Sequence, residues 1–254
     1  MLETKNLSIR FGGHVAVDRV SCAFKPGTLT AIVGPNGAGK TTYFNLISGQ
    51  LPASEGQVLL DGVDLTRMAA PLRTRRGLGR AFQLTQLFPH LSVLENVRLA
   101  VQARRGLGLK MLTVWLQLRE LSDEAMALLE RVRLADRAGH YAASLPHGDQ
   151  RKLEVAMLMA LQPKVYMFDE PTAGMSVDEV PVILDLIREL KREGRHTILL
   201  VEHKMDVVRE LADRIVVLHQ GQLVADGEPA AVIASDVVQS AYLGKAVASS
   251  GVVA

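Results

Sequence analysis

The 254 residues predict an α/β fold built on a P-loop nucleotide site, with an antiparallel β portion and an inserted helical portion. Three observations carry that expectation. A short, wholly apolar run, Leu29 to Val33, leads into a glycine-rich loop and then a helix-forming segment. After Pro163, apolar strand-like runs alternate with helical periodicity, the pattern of a mainly parallel sheet covered on both faces. Between about residues 90 and 160 the helical period recurs with no strand signal, which marks a helical insert.

Taken in order, Leu2 to Phe11 and Val15 to Phe24 alternate apolar and polar residues and predict antiparallel strands at a sheet edge. Leu29 to Val33 is a buried strand, followed by a helix from Lys40 to about Ser48. Gln57 to Leu60, closed by Asp61-Gly62, reads as a strand and turn. Val93 to Gln102, Ser122 to Arg133 and Gln150 to Leu161 carry the helical period. The strand–helix alternation resumes with strand Val165 to Phe168, helix Val180 to Lys191, strand His196 to Val201, helix Met205 to Leu211 and strand Arg214 to Leu218. The expected organisation is one domain over 1–254. Its α/β core and β edge lie at about 1–85 and 162–245, the helical portion at about 86–161, and a frayed, small-residue tail at 246–254.

Composition excludes several function classes. Lys and Arg number 29 against 27 Asp and Glu, so a formal charge of +2 offers no electrostatic case for a nucleic-acid partner. A single cysteine, Cys22, forbids an internal disulfide and fits a reducing compartment. The start lacks an apolar leader, and the longest apolar stretch, Met111 to Leu118, is too short to span a bilayer, so a soluble, cytosolic chain is expected.

Gly34-Pro35-Asn36-Gly37-Ala38-Gly39-Lys40-Thr41, with Thr42 behind it, matches G-x-x-x-x-G-K-[ST] in the required place between strand and helix. Glycines let the backbone wrap a phosphate, so amide groups and the helix N-terminus point at the anion. Lys40 then neutralises β/γ-phosphate charge and the Thr41 hydroxyl reaches Mg²⁺. A second carboxylate site is expected at a strand end, and Asp169-Glu170 after Val165 to Phe168 supplies it. Asp169 is expected to act on the metal through water, and Glu170 to polarise the attacking water as general base.

These residues, with Gln83, Leu145-Pro146-His147-Gly148-Asp149-Gln150 and His203, stand in the order found in ABC ATPases, and the chain resembles that family. Phe11-Gly-Gly-His-Val-Ala-Val17, Leu87 to Val97, Val201-Glu-His203 and Tyr242-Leu-Gly244 narrow the resemblance to ATP-binding subunits of branched-chain (hydrophobic) amino-acid uptake transporters. The resemblance implies that Phe11 stacks on adenine, that Gln83 reaches Mg²⁺ and the attacking water, and that His203 contacts the γ-phosphate. It implies that Pro146, His147, Gly148 and Asp149 form a signature loop presented in trans to ATP on a second cassette. The implied cofactors are ATP and Mg²⁺. The implied partners are two transmembrane permease subunits, a second, homologous or identical, ABC ATPase subunit and, indirectly, an extracytoplasmic solute-binding protein. The implied location is the cytoplasmic face of the inner membrane.

The chain also departs from that family's pattern. Pro146 and His147 replace the Ser-Gly of the usual Leu-Ser-Gly-Gly, and Asp149 stands where glutamine is usual, adding negative charge near phosphate. Ser176 replaces an aspartate in Ala173-Gly-Met-Ser176, and Lys204 follows His203 where an acid is common. The expectation is hydrolysis with unequal sites; a regulatory cassette with little turnover is the competing reading. Two further features are weaker. Arg104 to Leu118 is read either as a lipid- or permease-facing segment or as a helix of the insert, and Arg73, Arg75, Arg76 and Arg80 as a solvated charged face.

Overall fold

The computed structural model describes residues 1–81, 87–107, 111–236 and 238, without the side chains of 111–117. In chain order the elements are β1 Leu2–Phe11, β2 His14–Phe24, β3 Leu29–Val33, α1 Lys40–Ser48, β4 Glu55–Leu60, β5 Val63–Asp64, α2 Ala70–Arg75, β6 Leu78–Ala81, α3 Val93–Arg104 and α4 Met111–Arg131. They continue with α5 His147–Leu161, β7 Val165–Asp169, α6 Val180–Arg192, β8 Thr197–Val201, α7 Met205–Leu211, β9 Arg214–His219, β10 Gln222–Gly227 and α8 Pro229–Ala234. They form two compact units: Met1–Arg73 with the described residues from Thr197 onward, and Thr74–His196.

The first unit contains two kinds of sheet. An antiparallel sheet has the order β2-β1-β4-β5, so β1 is an interior strand and β2 forms the edge. Phe11 pairs with His14 across the Gly12-Gly13 tip of the first hairpin. The second set is β10-β9-β3-β8, in which β3 pairs in parallel with β8 and β9 while β10 returns antiparallel to β9. β3 is buried along its whole length, as its unbroken apolar run requires. Ala31 and Val33 pack with Val208, Ile215, Val217 and Val232 to form the core beneath the loop that follows.

In the second unit β6 and β7 pair in parallel, with Leu78 opposite Val165 and Ala81 opposite Phe168. Helices α3 to α6 belong to the same unit. Ser92 caps α3 by accepting from the Glu95 amide.

Several expectations need correction. The apolar segment Met111 to Leu118 and the amphipathic helix after it are one 21-residue helix, α4. Arg104 and Arg105 turn inward to it, at 2.6 and 2.8 Å from Glu124, with Arg105 also 3.4 Å from Glu120. Those pairs favour packing within the insert over lipid contact. The arginine cluster is not a uniform solvated face either. Arg75 and Arg76 are exposed, but Arg73 is 2% exposed and donates to the carbonyls of Leu46, Ile47, Thr66 and Met68, closing the C-terminal end of α1. α5 begins at His147 rather than about Gln150. Proline at the N-cap presets the backbone, and the Gln150 amide closes the first turn on the Pro146 carbonyl. β5, β6, β10, α2 and α8 add to the elements expected.

Candidate functional site

The loop from Gly34 to Thr42 joins β3 to α1, and its shape is set by main-chain crowding. A side chain at Gly34 would drive into the carbonyl oxygen of Leu218, and one at Gly39 into that of Ala16. Gly39, in the left-handed region at φ 95°, is also the N-cap of α1; it offers no side-chain acceptor, and the first turn holds no acidic residue. The positive end of α1 therefore opens onto the loop, as an anion site needs. Lys40 is 6% exposed and folds back, its Nζ donating to the carbonyls of Gly34 and Pro35 at 2.7 and 2.9 Å. An ammonium held on loop carbonyls is already aimed where phosphate charge would replace them.

Two other expected residues lie in this unit. Phe11, at the end of β1, is half exposed, so its ring is available to a flat ligand. His203 follows β8 and is exposed, while its neighbour Glu202 is buried. Glu202 accepts from the backbone amides of His203 and Lys204 at 2.8 and 3.3 Å, so one carboxylate shapes the turn that presents the histidine.

In the second unit, Asp169 ends β7 with no exposure. Its Oδ2 accepts from Arg80 Nη2 at 2.8 Å, and Arg80 is itself nearly buried. Among the described residues its Oδ1 has no hydrogen-bond partner. Burial pushes the Asp169 carboxyl above the usual carboxylate range, and Arg80 opposes that shift. Glu170 follows at φ 48°, in the left-handed region that a residue with a side chain rarely adopts. Arg151 of α5 holds this strained step, donating through Nη2 to the carbonyls of Asp169 and Glu170 at 2.9 and 3.1 Å.

The N-terminal turn of α5 is in the same unit. Pro146 and His147 are exposed, and Gly148 and Asp149 are buried. The Asp149 carboxylate lies 2.6 Å from Arg137 and 2.8 Å from Lys152, so its charge is neutralised by two cations within the unit. Lys152 is also 3.7 Å from Glu179, whose Oε2 accepts from the amide and hydroxyl of Ser176 at 3.1 and 2.9 Å. The Ser176 amide, and then its hydroxyl with Lys152, hold the Glu179 carboxyl below the usual range.

Gln83 lies outside the described residues, as does Tyr242-Leu-Gly244. Arg80, Arg137, Arg151, Lys152 and Glu179 were not among the residues expected to matter. One of them carried a readable signal: Ser176-x-x-Glu179 before an apolar helix has capping-box spacing. Among the described residues no group of three or more His, Cys, Asp or Glu could hold a metal ion, and no helix is long and apolar enough to cross a membrane.

A glycine-tight loop opening a helix after a buried parallel strand defines a P-loop nucleotide-binding protein. Comparison with known proteins narrows the class. Residues 17–173 match the family model described as ABC transporter. The chain is 38% identical over 251 residues to the high-affinity branched-chain amino acid transport ATP-binding protein LivG of Escherichia coli K12, covering 97% of this chain and 98% of that one. A nucleotide-free ATP-binding cassette from an ABC transporter superposes with a TM-score of 0.81 at 29% identity, covering 96% and 99% of the two chains. A dimeric cassette in a post-hydrolysis state bound to ADP and Pi gives 0.78 at 27%, covering 90% and 99%. The chain belongs to the ABC transporter family, as an ATP-binding subunit.

Proposed function

We propose that the chain hydrolyses ATP to drive uptake of branched-chain amino acids, as one cassette of a membrane transporter. The observation that carries this reading is the Gly34–Thr42 loop, with Lys40 buried on its carbonyls, in a chain of LivG's length and pattern. Glycine backbone and the α1 N-terminus bind the phosphates, Lys40 neutralises them, and Phe11 stacks on the base. Glu170 is the general base and His203 the γ-phosphate contact, with Gln83 sharing the water and the metal.

Mg²⁺ fits the donors present. In one unit the buried Asp169 has an oxygen with no hydrogen-bond partner among the described residues while Arg80 holds the other, and in the other unit Thr41 carries a hydroxyl; each is a hard oxygen donor of the kind Mg²⁺ takes. The metal, when bound, supplies charge neutralisation at the phosphates.

The two units act as one cassette that pairs with a second ABC ATPase subunit, the Pro146–Asp149 turn facing the second cassette's nucleotide. Two transmembrane permease subunits anchor the pair at the cytoplasmic face of the membrane, and a solute-binding protein delivers cargo. Leu87-Phe88 is the segment expected to meet the permease. Phe88 is half exposed, and Asn96 bonds both its amide and its carbonyl, at 2.8 and 3.1 Å, so an apolar side chain stands on a fixed base. The regulatory reading loses one support, because the Asp149 charge is taken up by Arg137 and Lys152.

The test is purification of a tagged chain from its native membranes in mild detergent. Two polytopic proteins and a second cassette should co-purify with ATPase activity, and Glu170→Gln should keep ATP binding while losing roughly 100-fold or more in turnover. Recovery of the chain alone, binding ATP without turnover, overturns the transporter reading. Near-normal turnover in the variant complex removes Glu170 as base.

A further inference from the structure

The loop behind Glu170 and the first turn of α5 share one carboxylate. Gly148 has no room for a side chain, because a Cβ there would collide with the carboxyl group of Glu179. That carboxyl group receives the Ser176 amide and hydroxyl on one side and lies 3.7 Å from Lys152 Nζ on the other. Lys152 in turn donates to Asp149 at 2.8 Å, and Arg137 closes the far end. A single chain of charge thus runs Arg137–Asp149–Lys152–Glu179–Ser176. Asp149 and Ser176, two of this chain's departures from its family's pattern, stand along it. Arg151, between Asp149 and Lys152 in sequence, holds the carbonyl of Glu170.

A helix cap alone does not account for this arrangement. Ser176 and Glu179 have the spacing of a capping box but only half of its contact: Glu179 accepts from the Ser176 amide, while the Glu179 amide bonds the Ser176 carbonyl rather than its hydroxyl, and that half works as well with glutamine as with glutamate. The Lys152 contact and the fit into the space over Gly148 serve no cap. They fasten the N-terminal turn of α5 to the Ser176 loop.

We infer that Glu179 is a positioning residue for the Leu145–Asp149 turn, acting from the space above Gly148 and through Lys152. The inference rests on the proposed function insofar as that turn meets the nucleotide of a second cassette. A turn tied both to Ser176 and, through Arg151, to Glu170 keeps a fixed position relative to this chain's own acid pair. Loosening it weakens nucleotide capture by the paired cassettes more than it slows the chemical step.

The test uses Glu179→Gln, which retains the cap and removes the charge, beside Glu179→Ala, which removes both. In the assembled complex Glu179→Gln should raise KM for ATP roughly 3- to 10-fold with kcat within about twofold, the size expected for one coupled contact. On the chain alone it should speed exchange of the Gln150 amide, which bonds the Pro146 carbonyl, while the Glu179 and Val180 amides, which bond the Ser176 carbonyl, keep their protection. A silent Glu179→Gln beside a disruptive Glu179→Ala makes Glu179 a helix cap only and overturns the inference. Exchange is read without turnover, so a complex that hydrolyses no ATP defeats the proposed function and leaves the exchange result to decide this point.

Discussion

The phosphate loop and the N-terminal turn of α5 each hold a glycine whose Cβ position is already occupied, but the atoms that occupy it differ. At Gly34 and Gly39 the obstacles are main-chain carbonyls, of Leu218 and Ala16. At Gly148 the obstacle is the end of the Glu179 side chain. Main-chain obstacles follow from the fold and cannot be mutated away, so the residues that meet them must keep one pattern. A side-chain obstacle can be moved, shortened or re-paired. The Cβ position of Gly148 can therefore be cleared by moving one side chain, whereas those of Gly34 and Gly39 cannot.

The largest expected effect sharpens that contrast. Gly34→Ala should destabilise the chain by about 3 kcal/mol, the upper range for forcing one extra carbon against packed atoms, and should abolish ATP binding. Thermal unfolding and nucleotide titration check it. A second-site substitution at Leu218 should not restore binding, because the colliding oxygen is on the backbone.

Gly148→Ala is the matched experiment, with a much smaller expected loss of about 1 kcal/mol or less, because the end of the Glu179 side chain can swing aside and alanine regains roughly 0.5–1 kcal/mol of helix propensity. Here the companion change should rescue: Gly148→Ala with Glu179→Ala should unfold no lower than Glu179→Ala alone. The two changes share one space, so their effects must be non-additive. Additive losses would mean that Glu179 is not what Gly148 makes room for, and the contrast between the two glycines would collapse.

The same distinction explains what was legible in the sequence. Leu29 to Val33, the loop and the start of α1 were readable to the residue because each is specified locally, by an apolar run, by glycines and by a helix-forming stretch. Asp169 and Glu170 were readable from the apolar strand that delivers them. What escaped is held by distant side chains. β6 is hidden because Leu78-Gly-Arg-Ala contains a glycine and an arginine, and the arginine is paired with Asp169, far along the chain. β10 was hidden because no residue in it is fully buried, leaving little apolar alternation. The start of α5 was misplaced by three residues because proline followed by His-Gly-Asp lacks helix propensity. Its first turn is closed by the Pro146 carbonyl and by the pairing of Asp149 with Lys152. Arg151 and Lys152 matter only once helix and loop are folded together, and no local spacing announces that; Glu179 alone left a trace, in the Ser176-x-x-Glu179 spacing.

Asp149→Gln, which restores the residue usual in the family, carries an equally small expected effect and tests the side-chain half of the comparison most directly. Were the carboxylate turned toward a bound phosphate, removing its charge would tighten ATP binding by the complex. The structure instead places it 2.6 Å from Arg137 and 2.8 Å from Lys152, on a residue 6% exposed. Glutamine there keeps a hydrogen-bond acceptor for one cation but loses both ionic attractions. Arg137 is 41% exposed, so water compensates it, and Lys152 still has Glu179 at 3.7 Å. The net loss should be about 1 kcal/mol, a fall in Tm of roughly 2–4 °C for a chain of this length, and it should shrink in high salt as the exposed Arg137 arm is screened. KM for ATP should stay level or rise. A fall in KM with an unchanged Tm would mean that the carboxylate acts on the nucleotide rather than on the fold, and that this turn works by the charge it presents rather than by the position its ion pairs give it.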